Sequence, residues 1–155
     1  MSTEIINTLN DLLQLDIDAV NAYEQALKQI DNSDIHSNIE SFRQDHLRHI
    51  MDLKEIIRKH SGSPVQSTPD LKGYLLEGFT ALRSVTGTKG ALSAMEANEK
   101  ITSKNYGDAL QEDILFPADV KELLLKNFAD ETRHLEYITN ALKNWKPIYD
   151  VVKPK

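Results

Sequence analysis

Glu131 and His134 stand one turn apart in FADETRHLEYI, residues 128–138, on the stripe that an amphipathic helix turns toward a core. Alternating steps of four and three give Val120, Leu124, Asn127, Glu131, His134, Ile138, Ala141 and Trp145. His46 and His49 interrupt a second stripe of Ile35, Ile39, Phe42, Leu53 and Ile56, and the acids Asp16 and Glu99 interrupt two more. Residues three apart on a helix share a face, so each pair can reach one point. A lone histidine on an apolar face is usually a hydrogen-bonded core residue. Ionisable residues on four stripes at once, acids on three of them, are different, because carboxylates are almost never buried unpaired. No lysine or arginine lies on these stripes at that level. A divalent cation supplies the missing charge, and carboxylate with imidazole suits iron, manganese or zinc.

The elements that must position these residues are helices, since period-2 alternation is nearly absent. The pattern predicts helices at about 3–31, 34–60, 88–113 and 117–145, with Pro117 opening the last. The proline- and glycine-punctuated stretch at 61–87 forms a long connection containing a short apolar helix. Short links make the first and last pairs antiparallel hairpins, and the long connection crosses between them. The expected fold is all-α: a single domain, residues 1–155, holding an up-down-down-up four-helix bundle with one crossover. The polar interruptions fall near mid-helix on each stripe, so packing the helices side by side brings them to one level.

An internal repeat supports this layout. Tyr23-EQ-Ala26-Leu27 matches Tyr106-GD-Ala109-Leu110, with Asp16 and Glu99 each two turns before the tyrosine. Asp45-HL-Arg48-His49 likewise matches Asp130-ET-Arg133-His134. The halves read as a duplicated helical hairpin with pseudo-two-fold symmetry. Metal-bound histidine usually donates its second N–H to a carboxylate. Symmetry places Asp45 to hold His134 and Asp130 to hold His49. Glu96, three residues before Glu99, could add a carboxylate; it also fits a solvated acid, since its repeat mate is Leu13. Tyr23 and Tyr106 are placed to hydrogen-bond the acids, although a plain core role explains them as well. Asp16, Glu96, Glu99 and Glu131 carry the charge to balance two divalent ions, with His46, His49 and His134 completing the shell.

Composition narrows the partners. The 155 residues contain no cysteine, which removes disulfides, iron–sulfur ligation and thiolate zinc sites. A net charge of −6 disfavours nucleic-acid binding. No basic-then-apolar leader opens the sequence and no apolar run is long enough for a bilayer, so a cytoplasmic protein without membrane partners is expected.

An acid on the first and third helices, a Glu-x-x-His type pair on the second and fourth, and a crossover between halves resemble the ferritin-like di-iron carboxylate proteins. The resemblance spans about residues 9–142. Glu96-x-x-Glu99 followed by Glu131-x-x-His134 looks most like rubrerythrin, and Asp45 and Asp130 are similar to the aspartates behind the ligands of bacterioferritin. The resemblance implies a pair of iron ions, with manganese or zinc as alternatives, and oxidation of Fe(II) by peroxide or oxygen with an external electron donor. Two departures stand out: Asp16 replaces a longer glutamate, and His46 replaces a glutamate that commonly bridges the two metals. With that carboxylate gone, the second ion is expected to bind more weakly. Two other functions fit the residues: a non-catalytic protein holding or storing a single ion, and a metal-free helical interaction module. Either a monomer or a homodimer is compatible.

Overall fold

The computed structural model describes residues 1–66, 87–111 and 114–146. Among them are four helices: α1 (Thr3–Leu27), α2 (Ser33–Lys59), α3 (Gly87–Gln111) and α4 (Ala118–Lys143). α1 packs on α2 and α3, and α4 packs on α3 and α2, leaving α1/α4 and α2/α3 as diagonals. Asp16 meets Tyr106 while Tyr23 meets Glu99, so α1 and α3 run antiparallel. Asp130 meets His49 while Asp45 meets His134, so α2 and α4 do too. The result is the up-down-down-up topology of ferritin-like bundles. The short helix expected within the crossover lies outside the described residues.

Local chemistry sets the helix ends. Ser2 accepts from the Ile5 amide and Asn32 from the Ile35 amide, so side-chain oxygens start α1 and α2. α1 ends at Leu27, short of the expected 31, because Gln29 and Ile30 donate three residues back to Ala26 and Leu27. Such bonds tighten the chain out of α geometry. At the end of α2, Ser61 adopts φ 62° while its amide bonds Arg58 and that of Gly62 bonds Ile57. This is a Schellman closure. A Cβ on Gly62 would lie 2.9 Å from Ile57 Cγ2 and 3.1 Å from the Ile57 carbonyl oxygen, so the close approach favours glycine. Pro117 sits at the cap, one residue before α4, rather than inside its first turn.

The buried residues of α4 are Val120, Leu124, Asn127, Glu131, His134 and Ile138, one continuous stripe. Apolar packing falls into two bodies. One, around Leu9, Leu13, Leu53, Ile57 and Leu124, fills one end of the bundle; the other, around Ala26, Ile39, Leu92, Met95 and Ile138, fills the opposite end. The polar layer lies between them, so each face of that layer is sealed by hydrocarbon. Among the described residues no helix is long and apolar enough to cross a membrane.

Candidate metal centre

Asp16, His46, His49, Glu99, Glu131 and His134 are each 0 % exposed, and all meet at mid-bundle. Their side-chain atoms form two groups in which every donor lies within 4.8 Å of the others. The first comprises Asp16, His46, His49 and Glu131; the second comprises His46, Glu99, Glu131 and His134. The internal repeat pairs Asp16 with Glu99, His46 with Glu131 and His49 with His134. Applying that exchange to the first group yields the second. The two groups are therefore images of one another, sharing His46 and Glu131.

The first group is compact. His46 Nδ1 lies 2.6 Å from Asp16 Oδ1 and 3.5 Å from Glu131 Oε1, and His49 Nδ1 lies 3.3 Å from each of those oxygens. Four donors about 2.1 Å from a common centre in a tetrahedron stand about 3.4 Å apart. Three of these four separations match that cage. In the second group His46 Nε2 is 3.2 Å from Glu99 Oε1, and His134 Nδ1 is 3.7 Å from Glu99 Oε2.

Two residues show what such a layer lacks. Neither oxygen of Glu131 has a hydrogen-bond partner, although His49 and His46 stand close by, and His134 Nδ1 has none either. A buried carboxylate without hydrogen bonds is costly unless a cation faces it. The inward His134 nitrogen is likewise left without a partner. Both are what a metal ion would require, and the donor set fits a divalent transition metal.

The outward nitrogens of two histidines are tied down. His49 Nε2 lies 3.1 Å from Asp130 Oδ2, and His134 Nε2 lies 2.9 Å from Asp45 Oδ2. With Nε2–H donated outward, Nδ1 of each ring is left to face the centre. Two arginines then lock the aspartates together. Arg48 donates to Asp45 at 2.7 Å and also to Asp130, while Arg133 donates to Asp45 at 2.6 Å and Asp130 at 3.1 Å. The arginines and aspartates form a closed ionic ring on the α2–α4 seam. Sequence reasoning passed over Arg48 and Arg133, yet both lie in the repeated Asp-x-x-Arg-His segment.

The tyrosines seal the layer from opposite ends. Tyr23 donates to Glu99 Oε1, and Tyr106 donates to Asp16 Oδ2 at 2.6 Å. Asn127, also unassigned from sequence, donates to the Tyr106 hydroxyl at 3.2 Å. Its repeat mate is Phe42, which instead stacks on His134 with centroids 4.3 Å apart. Glu96 is held away from both groups: it is partly exposed and accepts from Lys100 at 2.7 Å.

Electrostatics follow from this packing. Burial pushes the Asp16 carboxyl up, but His49 and His46 overcome it and bring it to about 2. Burial pushes His49 down, but Asp16, Asp130 and Glu131 raise it to about 10. His46 and His134 are raised by their carboxylates against burial in the same way. Glu131 is raised, by burial first and then by Glu99 and Asp16, with His46 opposing. Without metal, the three histidines hold their protons more tightly than a free imidazole does, so an ion that binds there must compete with protons.

A family model described as a domain of unknown function (DUF2383) matches residues 4–112, most of the chain, and the chain belongs to that family. The matched span carries Asp16, His46, His49 and Glu99; Glu131 and His134 lie beyond it. No curated protein and no solved structure matches the chain.

Proposed function

We propose that this DUF2383 chain is a metal-dependent redox protein that binds two divalent ions, iron foremost, and oxidises Fe(II) with peroxide or oxygen. The observation that carries this reading is Glu131, a fully buried carboxylate with no hydrogen bond on either oxygen, shared by two symmetry-related groups of histidine and carboxylate. Asp16, His49 and Glu131 would hold one ion; Glu99, His134 and Glu131 would hold the other, with His46 between. Bound iron would supply the one-electron couple, two Fe(II) giving two Fe(III) as hydrogen peroxide and two protons become two waters.

The protein's own contribution is positional. Asp45 and Asp130 fix the tautomers of His134 and His49, so Nδ1 of each ring faces the centre. Tyr106 and Tyr23 orient Asp16 and Glu99 by donating to one oxygen of each. Anionic oxygens favour the higher oxidation state, and the hydrocarbon at either end excludes bulk water from the layer. Return to Fe(II) draws on an external electron donor, since the chain has no cysteine of its own for electron transfer.

One observation favours a second reading, a non-catalytic polar core that holds one ion or none. His46 already pairs with Asp16 at 2.6 Å and with Glu99 at 3.2 Å, so a protonated ring can stand where a metal charge would. Aerobic titration with Fe(II), followed by near-ultraviolet absorbance, separates the two. The redox reading expects rapid growth of a ferric band saturating at two equivalents per chain. A rate equal to that of Fe(II) in buffer overturns it.

A further inference from the structure

His46 differs from the other two histidines in where its nitrogens go. His49 and His134 each spend Nε2 on an outer aspartate and turn only Nδ1 inward. His46 turns both inward: Nδ1 lies 2.6 Å from Asp16 Oδ1 and Nε2 lies 3.2 Å from Glu99 Oε1. Asp16 belongs to one group and Glu99 to the other, while His46 belongs to both. The ring thus stands between the two groups, presenting one nitrogen to each. Its edge is packed in place by Tyr23, with centroids 5.2 Å apart, and by His49 and His134 at 5.4 and 5.3 Å. Nothing outside the layer competes for either nitrogen among the hydrogen bonds of the described residues.

The geometry points to His46 as a bridging ligand, with Nδ1 serving the ion held by Asp16 and His49 and Nε2 serving the ion held by Glu99 and His134. This deepens the reading of the layer as a two-ion site and rests on it. A neutral imidazole has one lone pair and cannot join two ions. Bridging takes the ring to its anion, the ring protons leaving to buffer as the ions enter. The anion adds one negative charge between the two ions, offsetting their mutual repulsion. It also sets the spacing. Two metal–nitrogen bonds of about 2.0–2.1 Å on either side of the ring place the ions about 6 Å apart. The ions of two-metal sites commonly sit about 3.5–4 Å apart.

The test uses cobalt(II) alone as the probe on the full chain. Metal analysis after desalting counts the ions, and anomalous diffraction from loaded crystals locates them. The expected result is two ions per chain, about 6 Å apart, with one His46 nitrogen on each. His46→Gln, which cannot bridge through a ring, should fall from two ions to one. His46→Glu should keep two ions but bring them to about 3.5–4 Å. Wild-type ions already at that shorter distance, His46 bound to one ion only, or two ions retained by His46→Gln would overturn the bridge. A single wild-type ion also overturns it while leaving a metal site. No bound ion in the wild type overturns the bridge and the metal reading together. Should His46→Gln fail to fold, the wild-type distance decides alone.

Discussion

His134 Nε2 lies 2.9 Å from Asp45 Oδ2 across the α2–α4 seam, and His49 Nε2 meets Asp130 Oδ2 at 3.1 Å in the mirrored position. Each hairpin therefore supplies the carboxylate that orients the other hairpin's histidine. Neither His49 nor His134 is oriented by its own hairpin. Arg48 and Arg133 reinforce this exchange by bonding both aspartates at once. A site at the interface of two similar hairpins is thus coupled to their association, because the bonds that aim the ligands also close the bundle.

Replacing Asp45 or Asp130 with asparagine should weaken metal affinity on the order of 10–100-fold, the range for residues behind a metal-bound histidine. The two losses should be alike, given the mirrored geometry. Competition titration against a chromophoric chelator measures both. A loss at Asp130→Asn as large as that at His49→Ala would mean that the aspartate itself touches the metal.

Alanine at Glu131 or His134 should remove most of the bound metal, whereas alanine at His36 or His60 should leave stoichiometry unchanged. His36 is exposed, and His60 is engaged with Asp119 at 3.0 Å, far from the layer in sequence and element position. Metal analysis of the purified variants checks this. Equal losses across all of them would indicate adventitious binding by surface imidazoles.

Much of this arrangement was legible because helical periodicity fixes which residues face inward. Every buried position of α4 falls on the stripe read from sequence, with Glu131 and His134 at its middle. The repeat added the cross-pairing, since two similar hairpins place equivalent residues opposite each other. Other features depend on side-chain direction and neighbouring helices, which periodicity does not encode. Glu96 lies one turn from Glu99, but its helix position turns it to the rim, where Lys100 claims it. The Arg48–Asp130 bond, the Asn127–Tyr106 bond and the inward aim of both His46 nitrogens exist only between elements. Periodicity carries α1 on to about residue 31, past its end at Leu27, because bonding three residues back leaves no apolar signature.

The metal-free protein should lose stability as pH rises. His49 is raised from 6.5 to about 10 in the fold, so its contribution is complete below 6.5 and is lost as pH climbs through about 10. Asp16 is lowered from 3.8 to about 2, so its contribution is complete above 3.8 and disappears as pH falls through about 2. The melting temperature of the metal-free chain should therefore decline between pH 6.5 and 10. Metal affinity should rise over the same window, because ligands must shed protons to bind. Identical melting at both ends of that window in the metal-free chain would refute the histidine assignments.

Tyr106→Phe should cost the metal-free protein more than Tyr23→Phe. Removing the Tyr106 hydroxyl takes a donor from Asp16 and an acceptor from Asn127, whereas Tyr23 serves Glu99, which keeps His46 beside it. Each buried group left without a partner costs about 1–3 kcal/mol. Urea denaturation of the two variants supplies the comparison, and the reverse order would contradict the hydrogen-bond pattern.

Metal content per chain shows whether the mid-bundle layer binds metal. The protein would be loaded anaerobically with Fe(II), desalted, and analysed for metal against protein concentration, with His49→Ala and His134→Ala alongside. Each wild-type chain should retain two iron ions, and each variant should lose at least one. Wild-type protein that retains no more metal than the two variants would contradict metal binding by the layer.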